Sequence, residues 1–323
     1  MTNTVTSGAK LRVATYNVHG CTGIDRQCSE ARIAEVIAEM SVDIVALQEL
    51  DLARRRSAGA DQTKMIAEQL GWYSYFHPAM RMGDEHYGNA ILSRYQLNFR
   101  RAIELPGRPP FFCLENRAAI EVAIATNLGQ VHIINTHLGL GWRERVVQAQ
   151  LFTTTEWRAA IAGDKPLILL GDFNSLRGSQ PYRTLNRHLR DVRQLIAATG
   201  PFRTFPTRFP LLAVDHIFVN RAVQPLSLTV HRSSLARIAS DHFPLLAEFF
   251  SALRVASNRG QTAFFEANFA QPTISTFFGF LSPKGTATLW VSESDKKGKE
   301  TRFSHAPVSS VPGALSPSNR GNS

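Results

Sequence analysis

Short apolar runs alternate with longer amphipathic segments along the first 250 residues of the chain. The runs contain mainly aliphatic and β-branched side chains and are bounded by Gly, Asp, Asn or Pro, which is typical of β-strands. One run, "LILL" at residues 167–170, shows no alternation of polar and apolar positions, so we expect it to be buried on both faces. The pattern predicts strands over residues 11–17, 43–48, 89–93, 118–125, 131–136, 167–170, 214–219, 226–230 and 245–249.

Two segments have the period of an amphipathic helix. In "SEARIAEVIAEM" the apolar residues Ile33, Val36, Ile37 and Met40 share one stripe, and Ser29 is the candidate N-cap. "RERVVQAQLFTTTEWRAAIA" shows a similar period. Other neighbouring strands are joined by short turns, such as residues 127–129, which require antiparallel pairing. This mixture predicts α/β layers with mixed sheets rather than a wholly parallel sheet.

The composition changes near residue 250. Beyond it, stretches such as "SPKGTATLW" and "SSVPGALSPSNRGNS" are rich in Ser, Gly, Pro and Lys, which is typical of disordered segments. We therefore predict a flexible N-terminus over residues 1–9, one domain over residues 10–250 and a disordered or loosely docked tail over residues 251–323. Two stretches of the tail, "FFEANFA" and "ISTFFGFLS", are apolar enough to contact a surface, including that of a membrane.

No apolar run approaches the roughly 18–20 residues that span a bilayer, and "MTNTVTSGAK" lacks the apolar core of a signal peptide. The cysteines Cys21, Cys28 and Cys113 form neither an even set nor a paired metal-ligand spacing, which fits a reducing compartment. We therefore expect a cytoplasmic protein without a transmembrane segment. No feature of the sequence predicts a protein partner.

The formal net charge of +10 at pH 7 favours an anionic partner, because basic surfaces attract phosphates. From Ser251 onward there are eight Lys or Arg and four Asp or Glu, so +4 of this charge belongs to the tail and +6 to the first 250 residues. The excess fits nucleic acid, anionic lipid headgroups or a small phosphate ester equally well. Composition therefore indicates phosphate and leaves its carrier open.

Acids, amides and histidines stand at the ends or edges of six predicted strands. One such residue is more often a cap or a satisfied core group than a catalyst. Six in one chain are difficult to attribute to capping, and a buried carboxylate such as Asp172 costs several kcal/mol unless it is paired or bound to a metal. If the strand ends converge, the cluster contains Asn17, Glu49, His137, Asp172, Asn174, Asp215, Asp241 and His242.

The four carboxylates of this cluster cannot all stay ionised within a few ångströms of one another without a cation, because like charges raise one another's pKa. Oxygen ligands from Glu, Asp and Asn suit Mg²⁺ or Mn²⁺, whereas Zn²⁺ favours His and Cys. Mg²⁺ takes one or two protein carboxylates and completes its shell with water and substrate phosphate. The cluster therefore predicts a magnesium or manganese site that acts on phosphate esters.

Seven motifs, in order along the chain, resemble the motif series of the endonuclease/exonuclease/phosphatase superfamily. They are "TYNVHG", "ALQE", "YGNAILS", "NTHLG", "GDFNS", "DHIF" and "SDHFP". The superfamily includes deoxyribonuclease I, exonuclease III, neutral sphingomyelinases and inositol polyphosphate phosphatases. The resemblance covers about residues 10 to 250. It implies a four-layered α/β sandwich like that of deoxyribonuclease I, with two facing mixed β-sheets flanked by helices and the site at one edge.

The resemblance implies two carboxylates on the metal side, Glu49 in "LQE" and Asp241 in "SDH". Asn17 in "TYN" would bind both the metal and the scissile phosphate. An alternative for Glu49 is an ion pair with an arginine of "LDLARRR", which follows at once. His19 stands where apurinic endonucleases often carry an acid, so the sequence departs from that branch.

The resemblance also implies the residues that would act on the nucleophile. Asp172 and Asn174 match "GD-x-N", in which the aspartate lies beside the attacking water and the asparagine bonds to the phosphate or to that aspartate. His242 matches a general base, and either His242 or Asp172 would remove the proton from the attacking water. Asp215 would accept the other imidazole N–H of His242, or that of His137, and so fix a tautomer and raise basicity.

His137 matches the phosphate-contacting histidine of the deoxyribonuclease I and sphingomyelinase branches, where it would stabilise charge on the phosphorane or protonate the leaving oxygen. Asn89 in "YGNAILS" and Arg117 in "ENRAAI" are expected on the substrate side. Asn89 would support the site, and Arg117 would contact phosphate or form a structural ion pair. The implied reaction is in-line attack of water on a phosphodiester, without a covalent intermediate.

The resemblance does not fix the substrate, because related enzymes share chemistry and differ in their loops. A nuclease needs basic loops, and "ARRRSAGA" and "FRRAIELPGR" are candidates that are equally ordinary as solvated surface. The segment before Asp215 lacks the Trp-rich insert of exonuclease III-like enzymes. The stretches "YNVHG", "QELD", "NTHLG" and "TFPTRFP" together resemble a bacterial branch of uncharacterised members, some of which are similar to proteins linked with phospholipid or glycolipid-anchor metabolism. Three hypotheses stay open: a nuclease, a phospholipid or sphingomyelin-type phosphodiesterase at a membrane surface, and an inactive binding scaffold.

Overall fold

The computed structural model describes residues 10–107, 115–154, 157, 161, 163–196, 200–250, 275–281, 287–293 and 302–306. The predicted flexible N-terminus, residues 1–9, lies outside the described residues, and so do Cys113 and most of the predicted tail. The chain divides into two compact units, Met1–Arg254 and Val255–Ser323.

The secondary structure of the first unit alternates between strands and short helices. Its strands in the described ranges are β1 (Lys10–Asn17), β2 (Ile44–Leu52), β3 (Tyr73–Met82), β4 (Glu85–Ser93), β5 (Leu97–Leu105), β6 (Arg117–Thr126), β7 (Gly129–His137), β8 (Leu167–Asp172), β9 (Arg190–Asp191), β10 (Asp215–Val219), β11 (Gln224–Val230) and β12 (Leu245–Phe250). Its α-helices there are α1 (Glu30–Met40), α2 (Gln62–Leu70), α3 (Trp142–Leu151), α4 (Gln180–Asn186), α5 (Val192–Leu195) and α6 (Ser234–Ala239).

The strands of this unit form two six-stranded sheets. The strand order is β11–β12–β1–β2–β4–β3 in the first sheet and β5–β6–β7–β8–β10–β9 in the second. Each sheet has one parallel pair near its centre, β1 with β2 and β7 with β8, and its other pairs are antiparallel. Because parallel strands end at the same edge, each sheet brings two carboxyl ends together.

Alternate side chains of the central strands belong to different apolar clusters. In β8, Ile168 and Leu170 pack between the two sheets, whereas Leu167 and Leu169 face the side that carries α3 and α4. The outer face of the first sheet packs against α1, α2 and α6. The fold therefore has four layers, in the order helices, sheet, sheet and helices, with an apolar cluster between each neighbouring pair. This confirms the predicted four-layered α/β sandwich and the burial of "LILL" on both faces.

A buried polar bridge crosses the apolar layer between the sheets. Gln48 Nε2 donates to Asn135 Oδ1 over 2.8 Å and to Thr15 Oγ1 over 3.0 Å. Asn135 Nδ2 donates in turn to the carbonyl oxygens of Leu47 and Ala90, both over 2.8 Å. Because these buried groups are hydrogen-bonded to one another, the bridge fixes the position of β7 relative to β2 and β4.

The second unit contains the described strands β13 (Ser275–Leu281), β14 (Ala287–Glu293) and β15 (Arg302–Ala306), which pair antiparallel in that order. They lie in the segment expected to be a tail and were not among the predicted strands. The strands β3, β5 and β9 were also not predicted. All three are edge strands, where polar side chains interrupt the apolar pattern because fewer faces are covered. No helix in the described ranges has the length and apolar character to cross a bilayer.

Replacing Asn135 with Leu should destabilise the first unit, because Gln48 would lose its bond across the sheets and the carbonyl oxygens of Leu47 and Ala90 would stay buried without the amide that donates to them. We expect the free energy of unfolding to fall by about 2–5 kcal/mol, since each unsatisfied buried group costs roughly 1–3 kcal/mol. Urea unfolding followed by circular dichroism measures the change. The control is Asn98→Leu at an exposed position of β5, which should change this energy by less than about 0.5 kcal/mol. Equal effects of the two substitutions would contradict the role of the bridge.

Candidate active site

The carboxyl ends of the two parallel strand pairs face each other across the sandwich. Asn17 ends β1 in register with Gln48 of β2, and His137 ends β7 in register with Asp172 of β8. Asn17 Nδ2 donates to Asp172 Oδ2 over 3.1 Å, which joins the two sheets at this edge. The structure thus brings predicted site residues from both sheets into one cluster.

A β-bulge turns Glu49 out of the ladder between β2 and β4. The pairing shifts between Leu47 and Leu50, and Glu49 has a φ of 64° within the shift. A non-glycine residue in this left-handed region costs about 1–3 kcal/mol, and such residues cluster at functional sites. The bulge places the carboxylate beside Asn17, whose Nδ2 donates to Glu49 Oε1 over 2.9 Å.

Asp172 Oδ2 lies at the centre of the cluster. Besides Asn17, two histidine nitrogens lie near this oxygen, His137 Nε2 at 3.5 Å and His242 Nε2 at 3.6 Å. The preceding residue, Gly171, has a φ of 152°, and a Cβ there would lie 1.8 Å from the Thr136 carbonyl oxygen. Only glycine therefore allows β8 to approach β7 this closely beside the carboxylate.

The Asp172 carboxylate is not fully compensated by its neighbours. Burial raises its pKa to about 7, with a further contribution from Asp215, against the opposing charge of His242. The hydrogen bond from Asn17 and one of 2.8 Å from the Asn174 N–H to Asp172 Oδ1 also oppose the shift. A carboxyl group with a pKa near 7 is suited to proton transfer at neutral pH.

His242 forms a buried pair with Asp215. His242 Nδ1 lies 3.0 Å from Asp215 Oδ2, so this nitrogen carries a proton and Nε2 faces Asp172. Of the two histidines considered as partners of Asp215, the structure brings His242 to it. Burial lowers the pKa of His242, but the surrounding carboxylates, Asp215 foremost, outweigh burial and raise it to about 10. These carboxylates therefore favour the charged form of the imidazole.

Arg117 fixes the tautomer of His137. Its Nη1 lies 3.0 Å from His137 Nδ1, and because a guanidinium can only donate, Nδ1 accepts and Nε2 carries the proton. Burial lowers the pKa of His137 well below its ordinary value, and the charges of Arg117 and His242 lower it further. His137 is therefore a neutral donor whose Nε2 faces Asp172 and lies 4.0 Å from Glu49 Oε1. Arg117 also pairs with Glu115 at 3.0 Å.

Asn174 and a cavity lie on the other side of Asp172. Asn174 has a φ of 47°, and its Nδ2 donates to the Leu138 carbonyl over 2.9 Å and lies 3.1 Å from His137 Nε2. A cavity of about 360 Å³ opens beside Asn174 and His242. Arg145 lines its polar wall and Phe205 its apolar wall, where the Phe205 ring packs on the His242 ring with centroids 4.7 Å apart.

Asp241 is partly exposed on the loop before β12. The neighbouring Ser240 Oγ donates to the Asn17 carbonyl over 2.8 Å, which ties this loop to the end of β1. The negative charge of Asp241 also contributes to the raised pKa of His242, although burial and Asp215 act more strongly on it. The loop therefore holds Asp241 near the end of β1 and near His242.

The two asparagines expected to bind ligands make other contacts. Asn17 Oδ1 accepts the N–H of His19 over 3.1 Å, so its Nδ2, not its oxygen, faces Glu49 and Asp172. In this orientation Asn17 holds two carboxylates together. Asn89 is buried in β4 and donates to the carbonyl of Ala118 in β6 over 3.0 Å, which makes it another link between the sheets.

The arginines after Glu49 bind other acids. Arg56 Nε lies 2.7 Å from Asp51 Oδ2, and Arg55 Nε lies 3.5 Å from Glu85 Oε1. The alternative in which Glu49 serves as their partner is therefore not what the structure shows. The Glu49 side chain is 21% exposed, so solvent and a ligand can reach its carboxylate.

Sequence reasoning missed several residues that position the site. His216 Nε2 lies 2.7 Å from the carbonyl oxygen of Ser175, and Arg193 Nη1 lies 3.1 Å from His216 Nδ1. This buried pair fixes the position of Ser175 in the segment that follows Asp172. The only signal for it was the place of His216 beside Asp215 in a strand, where neighbouring side chains point to opposite faces. The position of Arg145 in the cavity wall carried no sequence signal.

The donor atoms fit a hard divalent cation. Glu49 and Asp241 present partly exposed carboxylates near Asn17, and Asp172, Asp215 and His242 offer one ligand atom each within 4.8 Å of one another. Among the described residues Asp215 Oδ1 is buried and accepts no hydrogen bond. An orphaned carboxylate oxygen beside the incompletely compensated Asp172 is what a cation would satisfy, and a mainly oxygen donor set suits Mg²⁺ or Mn²⁺.

One curated relative matches most of the chain. The uncharacterized protein YbhP of Escherichia coli strain K12 is 30% identical over 253 residues. The match covers 74% of this chain and 95% of YbhP.

Two solved structures share the fold at lower sequence identity. The mannosyl-6-phosphatase of Bacteroides thetaiotaomicron matches with a TM-score of 0.61 and 22% identity, covering 74% of this chain and 99% of its own. TDP2 of D. rerio, humanized by 14 mutations, matches with a TM-score of 0.57 and 18% identity, covering 74% of this chain and 98% of its own. These two similarities concern the fold alone.

The sequence model of the Endonuclease/Exonuclease/phosphatase family matches residues 14–242. This range contains every predicted site residue from Asn17 to His242. The ordered motifs, the two facing sheets and the relative that is covered over 95% of its length agree with the match. The chain belongs to the Endonuclease/Exonuclease/phosphatase family.

Proposed function

We propose that this protein is a divalent-metal-dependent phosphoric ester hydrolase that cleaves phosphodiesters by in-line attack of water. One observation carries the proposal. Asp172 Oδ2 accepts from Asn17 and lies within 3.6 Å of ring nitrogens from both His137 and His242. A proton acceptor, a neutral donor and a charged imidazole therefore meet at one point. Phosphoryl transfer depends mainly on such positioning and on neutralisation of charge.

Mg²⁺ or Mn²⁺ bound in this site would polarise a phosphoryl oxygen and lower the pKa of a bound water molecule. Glu49 and Asp241 would hold it, and the carboxylates of Asp172 and Asp215 offer further oxygen ligands within 4.8 Å of each other. Asn17 would keep Glu49 and Asp172 in register, because its amide bonds to both carboxylates.

The protonation states favour Asp172 as the base. Burial raises the pKa of Asp172 and so increases its proton affinity, whereas the surrounding carboxylates raise the pKa of His242 and favour the form in which both ring nitrogens carry a proton. His242 would then stabilise negative charge or pass its Nε2 proton to the leaving oxygen. The sequence left the base open between His242 and Asp172.

His137 would act as a neutral donor to a phosphoryl oxygen. Its Nε2–H faces the space between Asp172 and Glu49, and its low pKa keeps it from charging. Arg117 serves as a positioning residue, because it sets which nitrogen of His137 carries the proton. Asn174, which lies beside His137 Nε2, is placed to bond to the same phosphate.

An inactive scaffold is the less favoured alternative. A binding fold without chemistry would have no reason to retain strained backbone at Glu49 and Asn174 together with a buried carboxylate of raised pKa. Nucleic acid and phospholipid both remain candidate substrates for this chemistry.

The protein should hydrolyse bis-p-nitrophenyl phosphate in the presence of Mg²⁺, lose this activity in EDTA and regain it when excess Mg²⁺ is added. His242→Ala should lower kcat by about 100- to 10,000-fold, as removal of an acid–base group does. Release of p-nitrophenolate measures the rate. His188→Ala, at an exposed position between α4 and β9, is the control and should retain full activity. Metal-independent turnover, or no turnover of any diester with Mg²⁺ or Mn²⁺, would refute the proposal.

Arg117→Met should remove the contact that keeps the proton of His137 on Nε2, so both neutral tautomers should be populated. We expect kcat to fall by about tenfold or more with KM little changed, because the Nε2–H donor would be present in only part of the molecules. Nitrogen-15 NMR of labelled histidine should show His137 Nδ1 unprotonated in the native chain and a tautomer mixture in the variant. Arg221→Met, which removes an exposed pair with Asp164, is the matched control. An unchanged tautomer in Arg117→Met would rule out this role.

A further inference from the structure

Three segments form the mouth of the active site: residues 138–145, 175–179 and 202–214, here called the site rim. The first follows His137, the second follows Asn174, and the third precedes Asp215. One residue from each, Arg145, Leu176 and Leu212, lines the cavity beside His242 and Asn174. The site rim therefore surrounds the entrance to the groups that would perform the chemistry.

The site rim exposes an unusual number of large apolar side chains. Trp142, Phe209 and Leu211 are 61%, 66% and 65% exposed. Six of the thirteen exposed large apolar side chains in the described part of the chain lie within these 26 residues. Single exposed apolar residues need no explanation, but a concentration of them around a site marks an interaction surface. The six are Leu140, Trp142, Leu176, Phe209, Leu211 and Leu212.

The site rim is also positively charged. Its only acid, Glu144, is buried and accepts hydrogen bonds from Gly141 N–H and Gln148 Nε2. Its basic residues are Arg143, Arg145, Arg177, Arg203 and Arg208. Bulky apolar side chains interleaved with arginines match the interface of an anionic bilayer, where the former enter the acyl boundary and the latter meet headgroup phosphates.

Aliphatic side chains distinguish this surface from one that binds nucleic acid. Bases stack on aromatic rings, whereas leucines such as Leu211 and Leu212 have no such partner in a nucleic acid and match hydrocarbon. Two arginines of the candidate nuclease loops form ion pairs with acids of the chain. Arg56 pairs with Asp51, and Arg101 Nε lies 2.6 Å from Glu121 Oε2.

We propose that the site rim seats the active site on a bilayer that contains anionic phospholipid, and that the phosphate ester cleaved is that of a lipid headgroup. The inference rests on the proposed function for its chemistry and adds the class of substrate and the surface that presents it. Trp142 enters the interface with Phe209 and Leu211, and the cavity beside His242 faces the headgroups.

The full-length chain should bind vesicles of phosphatidylcholine that contain about one third phosphatidylglycerol, and bind vesicles of phosphatidylcholine alone more weakly. Cosedimentation measures the binding. The tryptophan emission should shift to the blue on binding, and Trp142→Phe should remove most of this shift. Phe209→Ser combined with Leu211→Ser should weaken binding to anionic vesicles by about 10- to 100-fold. Met65→Ser, at a position on α2 that is 46% exposed, is the control and should bind as the native chain does.

No binding to anionic vesicles, or equal binding by the double variant and the native chain, would overturn the inference. A labelled DNA duplex or single strand that binds in place of vesicles, and loses affinity in the double variant, would overturn it as well. Thermal unfolding shows that each variant is folded. Hydrolysis of a water-soluble diester is measured on the same samples, so a chain that binds vesicles but never hydrolyses the diester contradicts the proposed function and not the docking surface.

Discussion

The hydrogen bond between Asn17 and Asp172, 3.1 Å long, joins the carboxyl ends of two parallel strand pairs that belong to different sheets. The site exists only where these ends face each other, so its geometry depends on how closely the sheets are held. Behind this bond the bridge between Gln48 and Asn135 crosses the same gap. Apolar packing alone tolerates small sliding of one sheet on the other, whereas buried polar partners permit one register. Directional bonds therefore set the position of the catalytic groups, and apolar layers supply the stability that holds them.

The site concentrates unfavourable features that the rest of the fold must sustain. Asp172 is a carboxylate with too little compensation, as its raised pKa shows, and Glu49 and Asn174 both have positive φ values. Backbone strain of this kind costs on the order of 1–3 kcal/mol at each residue. Three apolar layers offset this cost. A bound cation would offset part of it directly, which links the folding energetics to the proposed chemistry.

Much of this arrangement was readable in the sequence, and the exceptions have physical reasons. The run "LILL" showed two-sided burial, and the polar strand ends pointed to one cluster, because parallel strands deliver their ends to one edge. Gln48 and Asn135 were not recognised, since a polar residue in a strand gives no sign that its partner lies in another sheet. The tautomer of His137 depends on a distance to Arg117, and the exposure of Phe209 depends on what packs nearby. Neither distance nor packing is encoded in a local pattern.

The central claim is that Glu49, with the other carboxylates gathered at this edge of the sandwich, forms a cation site beside Asn17. Titration of the protein with Mn²⁺ at neutral pH, followed by loss of the free-ion electron paramagnetic resonance signal, tests it most directly. The account predicts saturable binding by the native chain, at least about tenfold weaker binding by Glu49→Gln because one ligand charge is lost, and little change in Glu85→Gln, a partly exposed glutamate of β4 that pairs with Arg55. Equal Mn²⁺ binding by the native chain and Glu49→Gln, or no binding by either, would contradict it.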